Sequence, residues 1–268
     1  MRWQSWLVLA TVVPWCTISA LRYALTQWSS AAKIGLGFSL ALALLVFLAR
    51  AATLAAALTG GVLTAVVTLG LSPWYQSGLP SLLALFVLTW TATRFGRSKK
   101  ERLGVAEDKR GRNAAQVAAN LGVAALAATL ALGHPFHGTW YAVMMIAALA
   151  EATADTLASE LGEVLGGPPL LLTTLRRVAP GTDGAISLAG TVAGTSGAVL
   201  IVLVAVPTVG LAPGDAICAG LGAFAGLFVD SLLGATAERR GWLNNDAVNF
   251  LSTLAAALIA VAILFAVA

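Results

Sequence analysis

The chain has 268 residues, 59% of them hydrophobic and only 10% charged. An ordinary soluble domain carries about 25% charged residues, so a soluble globular protein is excluded and an integral membrane protein is expected. Sixteen Lys and Arg against 12 Asp and Glu leave a net charge of +4; the basic residues are clustered, and no basic soluble domain exists to hold nucleic acid.

A helical crossing needs about 20 apolar residues. On that measure the spans run near 3–21, 34–49, 51–71, 79–93, 114–133, 139–157, 185–209, 214–237 and 247–267. The fold class is therefore all-α, a polytopic transmembrane helix bundle of about nine spans, with seven to ten compatible with the same runs. The first run follows Arg2, is broken by Pro14 and lacks a small-residue cleavage site, so it is expected to stay as a span rather than serve as a signal peptide. Only Arg50 separates the second and third runs, and a bent helix or a re-entrant hairpin would look the same. The runs are rich in Ala and Leu without the alternation of a membrane β-barrel. Cys16 and Cys218 lie within such runs and act as small hydrophobes, with no disulfide framework indicated. As one domain, 1–268, the chain divides into N-terminal helices (1–93), a basic loop (94–112) and motif-bearing helices (113–268).

Orientation follows from the distribution of cations. With nine spans, one face collects Arg2, Arg50, the cluster from Arg94 to Arg112, Arg176, Arg177, Arg239 and Arg240, while the other keeps Arg22 and Lys33. The basic face is expected to be cytoplasmic. The 94–112 loop is read either as a solvated, orienting segment that attracts anionic headgroups or as a direct substrate contact.

After that loop, Asn113, Gln116 and Asn120 fall on one helix face. Their amides suit a ribose, a base edge or a phosphate oxygen, or alternatively hydrogen bonds between helices. Glu151 and Asp155 are four apart and share a face, continued by Ser159. Carboxylates that close in a low dielectric need a cation or a proton between them, and Mg²⁺ held by one or two carboxylates plus substrate phosphates meets that need. The alternative is an ion pair with Arg176 or Arg177. Glu160 and Glu163 lie at the helix exit, where solvation alone would satisfy them.

Gly166, Gly167, Pro168 and Pro169 end that helix. Thr173, Thr174, Arg176 and Arg177 then offer hydroxyls and guanidinium forks suited to phosphate. Pro180 to Gly184, with Gly181 and Thr182 inside it, forms a turn whose amides suit an anion. Asp183 is either an N-cap for the next helix or a metal ligand. Gly190, Gly194 and Gly197, and then Gly222, Gly226, Asp230 and Gly234, recur at helical spacing. This places Asp230 on a packing face rather than toward lipid. The last span opens with Asn244, Asn245, Asp246 and Asn249, more polar groups than a helix cap requires. His134 and His137 lack the further ligands a metal site would want. No Walker loop or nucleophile elbow is present.

In order along the chain, GRNAAQVAAN (111–120), EATADTLASELG (151–162), TTLRRVAPGTDGAISLAGT (173–191), DSLLGAT (230–236) and NNDAVNFLST (244–253) resemble the DUF92/TMEM19 family of integral membrane proteins, which includes phytyl-phosphate kinase. The resemblance covers essentially the whole chain. It implies phosphoryl transfer from a nucleoside triphosphate, CTP being the expected donor, to an isoprenoid monophosphate such as phytyl or geranylgeranyl phosphate, at a multi-pass protein of a prokaryotic or thylakoid-type membrane. The motif positions it marks are Asn113, Asn120, Glu151, Asp155, Glu160, Arg176, Arg177, Asp183, Asp230, Asn245, Asp246 and Asn249. Residue chemistry then assigns Glu151, Asp155, Glu160, Asp230 and Asp246 to Mg²⁺. Arg176, Arg177 and Asp183 join Asp155 in the transfer itself, with Asn113, Asn120, Thr174, Gly181, Thr182, Asn245 and Asn249 on substrate or nucleotide.

Two neighbouring lipid-enzyme classes are disfavoured, because Asp183-Gly184 and Asn245-Asp246 are not followed by the Arg or Asp their motifs require. A transporter with a buried acidic ion or proton site is the competing class; it would show two related halves, and the 151–184 stretch has no counterpart.

Overall fold

A computed structural model describes residues 2–27, 29–69, 77–106, 111–133 and 138–267. His134, His137, Lys109, Arg110 and the last two residues of the expected third span lie outside them. The helices are α1 (Trp3–Thr26), α2 (Ser30–Leu48), α3 (Leu54–Leu69), α4 (Leu79–Arg94), α5 (Arg97–Leu103), α6 (Ala114–Gly133), α7 (Gly138–Leu165), α8 (Leu188–Val209), α9 (Pro213–Leu233) and α10 (Asn245–Val267). Two short strands, β1 (Leu170–Leu171) and β2 (Ala185–Ile186), interrupt them.

Each expected span coincides with one helix, but not every helix is long enough to cross. Among the described residues, α1, α6, α7, α8, α9 and α10 are long and apolar enough, and α4 with α5 makes a seventh candidate bent by 61°. Helices α2 and α3 are shorter apolar helices; at 16 residues α3 reaches only about 24 Å, against a hydrocarbon core of about 30 Å. They are nonetheless two separate helices. The α2 C-terminus closes with Ala51 N–H donating to Val46 O (3.1 Å) and Arg50 N–H to Phe47 O (3.0 Å), with Arg50 itself left-handed at φ 52°. This is a glycine-type helix stop with arginine in the glycine position.

Helix α7 is the axis of the bundle. It packs against α4, α6, α8, α9 and α10, and Val143, Ile146, Ala147, Ala148, Leu149 and Ala150 are fully buried. Small residues set these distances. A Cβ on Gly190 or Gly194 of α8 would stand 2.5 or 2.6 Å from the Ala158 or Ala154 carbonyl oxygen of α7, and one on Gly222 of α9 would stand 2.5 Å from Ala256 O of α10. Where side chains gain nothing from leaving lipid, such close backbone approach supplies the packing.

The described first part of the basic loop, 94–106, is packed onto the bundle rather than solvated. Its short α5 lies on the end of α7, where Lys99 Nζ donates to Val164 O (2.6 Å). Lys100 is only 1% exposed and is bonded to Ala92 O, Thr93 O and the Glu160 carboxylate. The expectation that Glu160 is merely solvated is thereby corrected, because this buried ammonium holds it.

Candidate functional site

The polar end of the bundle is built from carboxylates that the helix packing forces together. Glu151 and Asp155 stand one turn apart on α7 and Asp230 approaches from α9; the three are electrostatic neighbours, with the Ser252 hydroxyl of α10 beside Glu151 and Asp230. Gly226 makes the approach possible, since a Cβ there would stand 2.7 Å from Glu151 Cγ. Glu151 is buried, and Asp155 and Asp230 are half-buried. Oε1 of Glu151 and Oδ2 of Asp230 have no hydrogen-bond partner among the described residues. Enclosed acceptors left without a donor are costly, so this arrangement calls for a cation or protons.

In front of the carboxylates is a cavity of about 300 Å³. Of the candidate residues, Asn120, Asp155, Glu160, Gly181, Thr182, Asp183, Asp230, Asn245 and Asn249 line it. Asn249 Nδ2 donates to Asn120 Oδ1 (3.4 Å), and Asn120 Nδ2 donates to Gln116 O (2.8 Å), joining α10 to α6 on one wall. The Pro180–Gly184 turn forms another wall, with positive φ at Gly181 (78°) and Gly184 (70°). A Cβ on Gly184 would collide with Ala235 N at 2.0 Å and Ser231 O at 2.4 Å, so only glycine lets this turn sit on the end of α9. There the helix widens into a π-helical turn, Gly234–Glu238, a feature often found at functional sites.

Other candidates are placed elsewhere. Asn113 is the N-cap of α6: its Oδ1 accepts from Ala115 N (2.9 Å) and Gln116 N (3.1 Å), and its own N–H donates to Gln116 Oε1 (2.8 Å). That reciprocal cap engages its side-chain oxygen. Asp246 accepts from the Ser5 hydroxyl, which also receives Asn244 Nδ2 (2.6 Å), so this part of the NND segment ties α10 to α1. The cap of α8 is Ser187, whose Oγ accepts from Gly190 N (3.1 Å); Asp183 is exposed at the cavity edge and does not cap. Thr174, Arg176 and Arg177 are exposed and outside the cavity lining. The reason is topological: β1 pairs with β2 on one side and Leu170 bridges Arg177 on the other, so the arginines occupy the outer edge while Ala185 and Ile186 border the cavity.

Among the described residues, the guanidinium that reaches the cavity is that of Arg112. Its backbone is clamped to the α2–α3 link, Arg112 N–H donating to Ala51 O and Thr53 N–H to Arg112 O, both at 3.0 Å. Its Nη2 then donates to Thr156 Oγ1 of α7 (3.3 Å), within electrostatic range of Asp155. Within the sequence Arg112 was one cation in a cluster; its single distinguishing signal was adjacency to the 113–120 amide face. Glu238 also lines the cavity and neighbours Asp183 and Asp155, but no sequence period marks a π-helical turn. Gln116, Thr156, Ser159, Glu163, Ser187, Thr191 and Ser231 add to the polar lining.

Among the described residues, no three His, Cys, Asp or Glu side chains are gathered so as to hold a metal by themselves. The donor set is instead that of a shared site, a carboxylate pair facing open volume, which fits a hard cation that takes its remaining ligands from phosphate oxygens and water.

The family described as integral membrane protein DUF92 matches residues 37–257, which include every cavity-lining residue named above. The chain is 40% identical over 185 residues to an uncharacterized membrane protein of Methanocaldococcus jannaschii, covering 68% of this chain and 74% of that one. It is 34% identical over 185 residues to an uncharacterized membrane protein of Synechocystis, covering 68% and 72%. With the chloroplastic protein VTE6 of Arabidopsis thaliana it shares 28% over 228 residues, 81% of this chain and 68% of that one. No solved structure matches the chain.

Proposed function

From the premise that the chain belongs to the DUF92 family of integral membrane proteins, we propose that its polar cavity transfers a phosphoryl group from a nucleoside triphosphate, CTP being the expected donor, to an isoprenoid monophosphate. The observation that carries this reading is the pairing of half-buried Asp155 and Asp230, backed by buried Glu151 with its unpartnered oxygen, against Arg112 and a glycine-bounded turn. The resemblance of the motifs to those of a family that includes phytyl-phosphate kinase supports the same class.

In the proposed reaction an oxygen of the acceptor monophosphate forms a bond to the γ-phosphorus. The bond from that phosphorus to its bridging oxygen breaks, releasing the nucleoside diphosphate and leaving a lipid diphosphate. The acceptor needs no general base, because the second ionisation of a phosphate monoester lies near about 6. The carboxylates are therefore assigned to a cation rather than to proton transfer. Asp155 and Asp230 would hold Mg²⁺, with Glu151 behind them. Bound there, Mg²⁺ would supply charge neutralisation for the transferring group. Arg112 and the Gly181 and Asp183 backbone amides of the turn hold phosphate oxygens, while Asn120, Asn245 and Asn249 orient nucleotide or phosphate by hydrogen bonds. Positioning and charge stabilisation account for most of the catalysis expected of such a site. Arg176 and Arg177 take no part in the transfer itself.

The cavity lies at the end of the bundle that carries α5 and its cations. With basic flanks cytoplasmic, it opens where nucleotide is available. The test is purified protein with labelled CTP, Mg²⁺ and a panel of prenyl monophosphates. Labelled diphosphate is the expected product; its absence with every nucleoside triphosphate and acceptor would discard this function.

A further inference from the structure

A second, larger cavity of about 500 Å³ lies between α2, α3, α4 and α6. Its sides are apolar, formed by Leu42, Ala57, Gly60, Leu85, Phe86 and Leu121. Arg50, Arg94, Arg97 and Arg112 stand at one end. Arg112 and Asn120 also line the polar cavity, so the two volumes meet at these side chains.

We propose that this groove holds the hydrocarbon tail of the anionic lipid acceptor, with the arginine end receiving its phosphate and delivering it past Arg112 to the carboxylates. The identity of the headgroup rests on the phosphoryl-transfer reading above; the groove itself rests on three observations. The first is charge complementarity: four guanidinium groups stand at one end of a largely apolar channel, and although Arg97 is paired there with Glu101 (3.0 Å) the end keeps an excess of positive charge. The second is Trp90, which lines the groove and over whose ring Arg94 stacks at 4.2 Å, fixing that guanidinium at the groove wall. The third is Arg50, which occupies a left-handed position where glycine is the usual residue. The strained backbone keeps a guanidinium at the groove end, as expected when a side chain is retained for binding rather than for folding.

Binding without nucleotide separates this proposal from the reaction. Isopentenyl and geranylgeranyl monophosphate serve as short- and long-chain probes, with affinities measured by native mass spectrometry in detergent. Because the long tail buries more apolar surface, wild type is expected to bind the long-chain probe roughly tenfold tighter or more. Gly60→Leu fills the groove, and its new Cβ meets only Val117 Cγ1 at an ordinary 3.6 Å; the ratio of the two affinities should fall toward one. Arg50→Gly should weaken binding of both without lowering the melting temperature, since glycine relieves the backbone. Equal affinities in wild type, unchanged discrimination in Gly60→Leu, or displacement of the long-chain probe by phosphatidylglycerol as effectively as by unlabelled probe would each overturn the groove. Chain-length discrimination without turnover would discard the kinase and keep the groove; turnover without discrimination would do the reverse.

Discussion

Asp155 stands where α7, α9 and the Arg112 segment converge, and under the proposed reaction its substitution should separate catalysis from folding. Asp155→Asn keeps the shape but removes a charge from a group of carboxylates that repel one another. Turnover should fall by roughly 10²-fold or more, while the melting temperature stays level or rises. Wild-type kinetics at limiting Mg²⁺ would remove Asp155 from the site. The arginines give a second contrast. Arg112→Lys exchanges a planar fork for a point charge and should lower kcat/KM on the order of tenfold. Arg176→Lys and Arg177→Lys, on the outer edge of the hairpin, should leave it nearly unchanged. If instead the hairpin variants are the impaired ones, phosphate is bound by the strand edge and not by Arg112.

Two junctions between elements are sensitive in different ways. Gly184 joins the 180–184 turn to the π-helical end of α9, and an added Cβ has backbone on both sides and an unfavourable φ. Gly184→Ala should therefore lower the melting temperature and abolish turnover together. Gly214→Ala, at a helix start with open space around it, should change neither. Lys100 joins α5 to α7 by burying its ammonium against Glu160 and two carbonyls. Lys100→Met strands the carboxylate and should cost about 3 kcal/mol. Adding Glu160→Gln should recover much of that loss in a double-mutant cycle, and strict additivity would show that the two side chains are not coupled.

For the whole molecule, α5, the open end of the polar cavity and the arginine end of the groove should share the cytoplasmic side. The α8–α9 connection around Gly210 should lie opposite, since the 22-residue α8 separates them. In a variant with Cys16 and Cys218 replaced, a membrane-impermeant thiol reagent added to intact cells should label Gly210→Cys and leave Ser98→Cys unmodified. Inside-out vesicles should give the reverse, and labelling of both from one side would refute the orientation.

Residue order alone determined that this is a helical membrane protein, where its helices run, and that 151–162, 180–184 and Asp230 belong to one polar site. Those features follow from local causes: unbroken apolar runs, the helical spacing of Glu151 and Asp155, and glycines repeating along packing faces. Only the tertiary structure decided which cation faces Asp155. Arg112 is aimed by backbone hydrogen bonds to residues 51–53, about sixty positions away, and Arg177 is turned out by the strand pairing of Leu170. It also decided that Asn113 is used as a cap, that Asp246 is held by Ser5, and that α2, α3 and α4 enclose a groove. Charge, spacing and hydropathy act along the chain, whereas a cavity is made by side chains that meet across it, and no pattern within any one segment specifies which of them will meet.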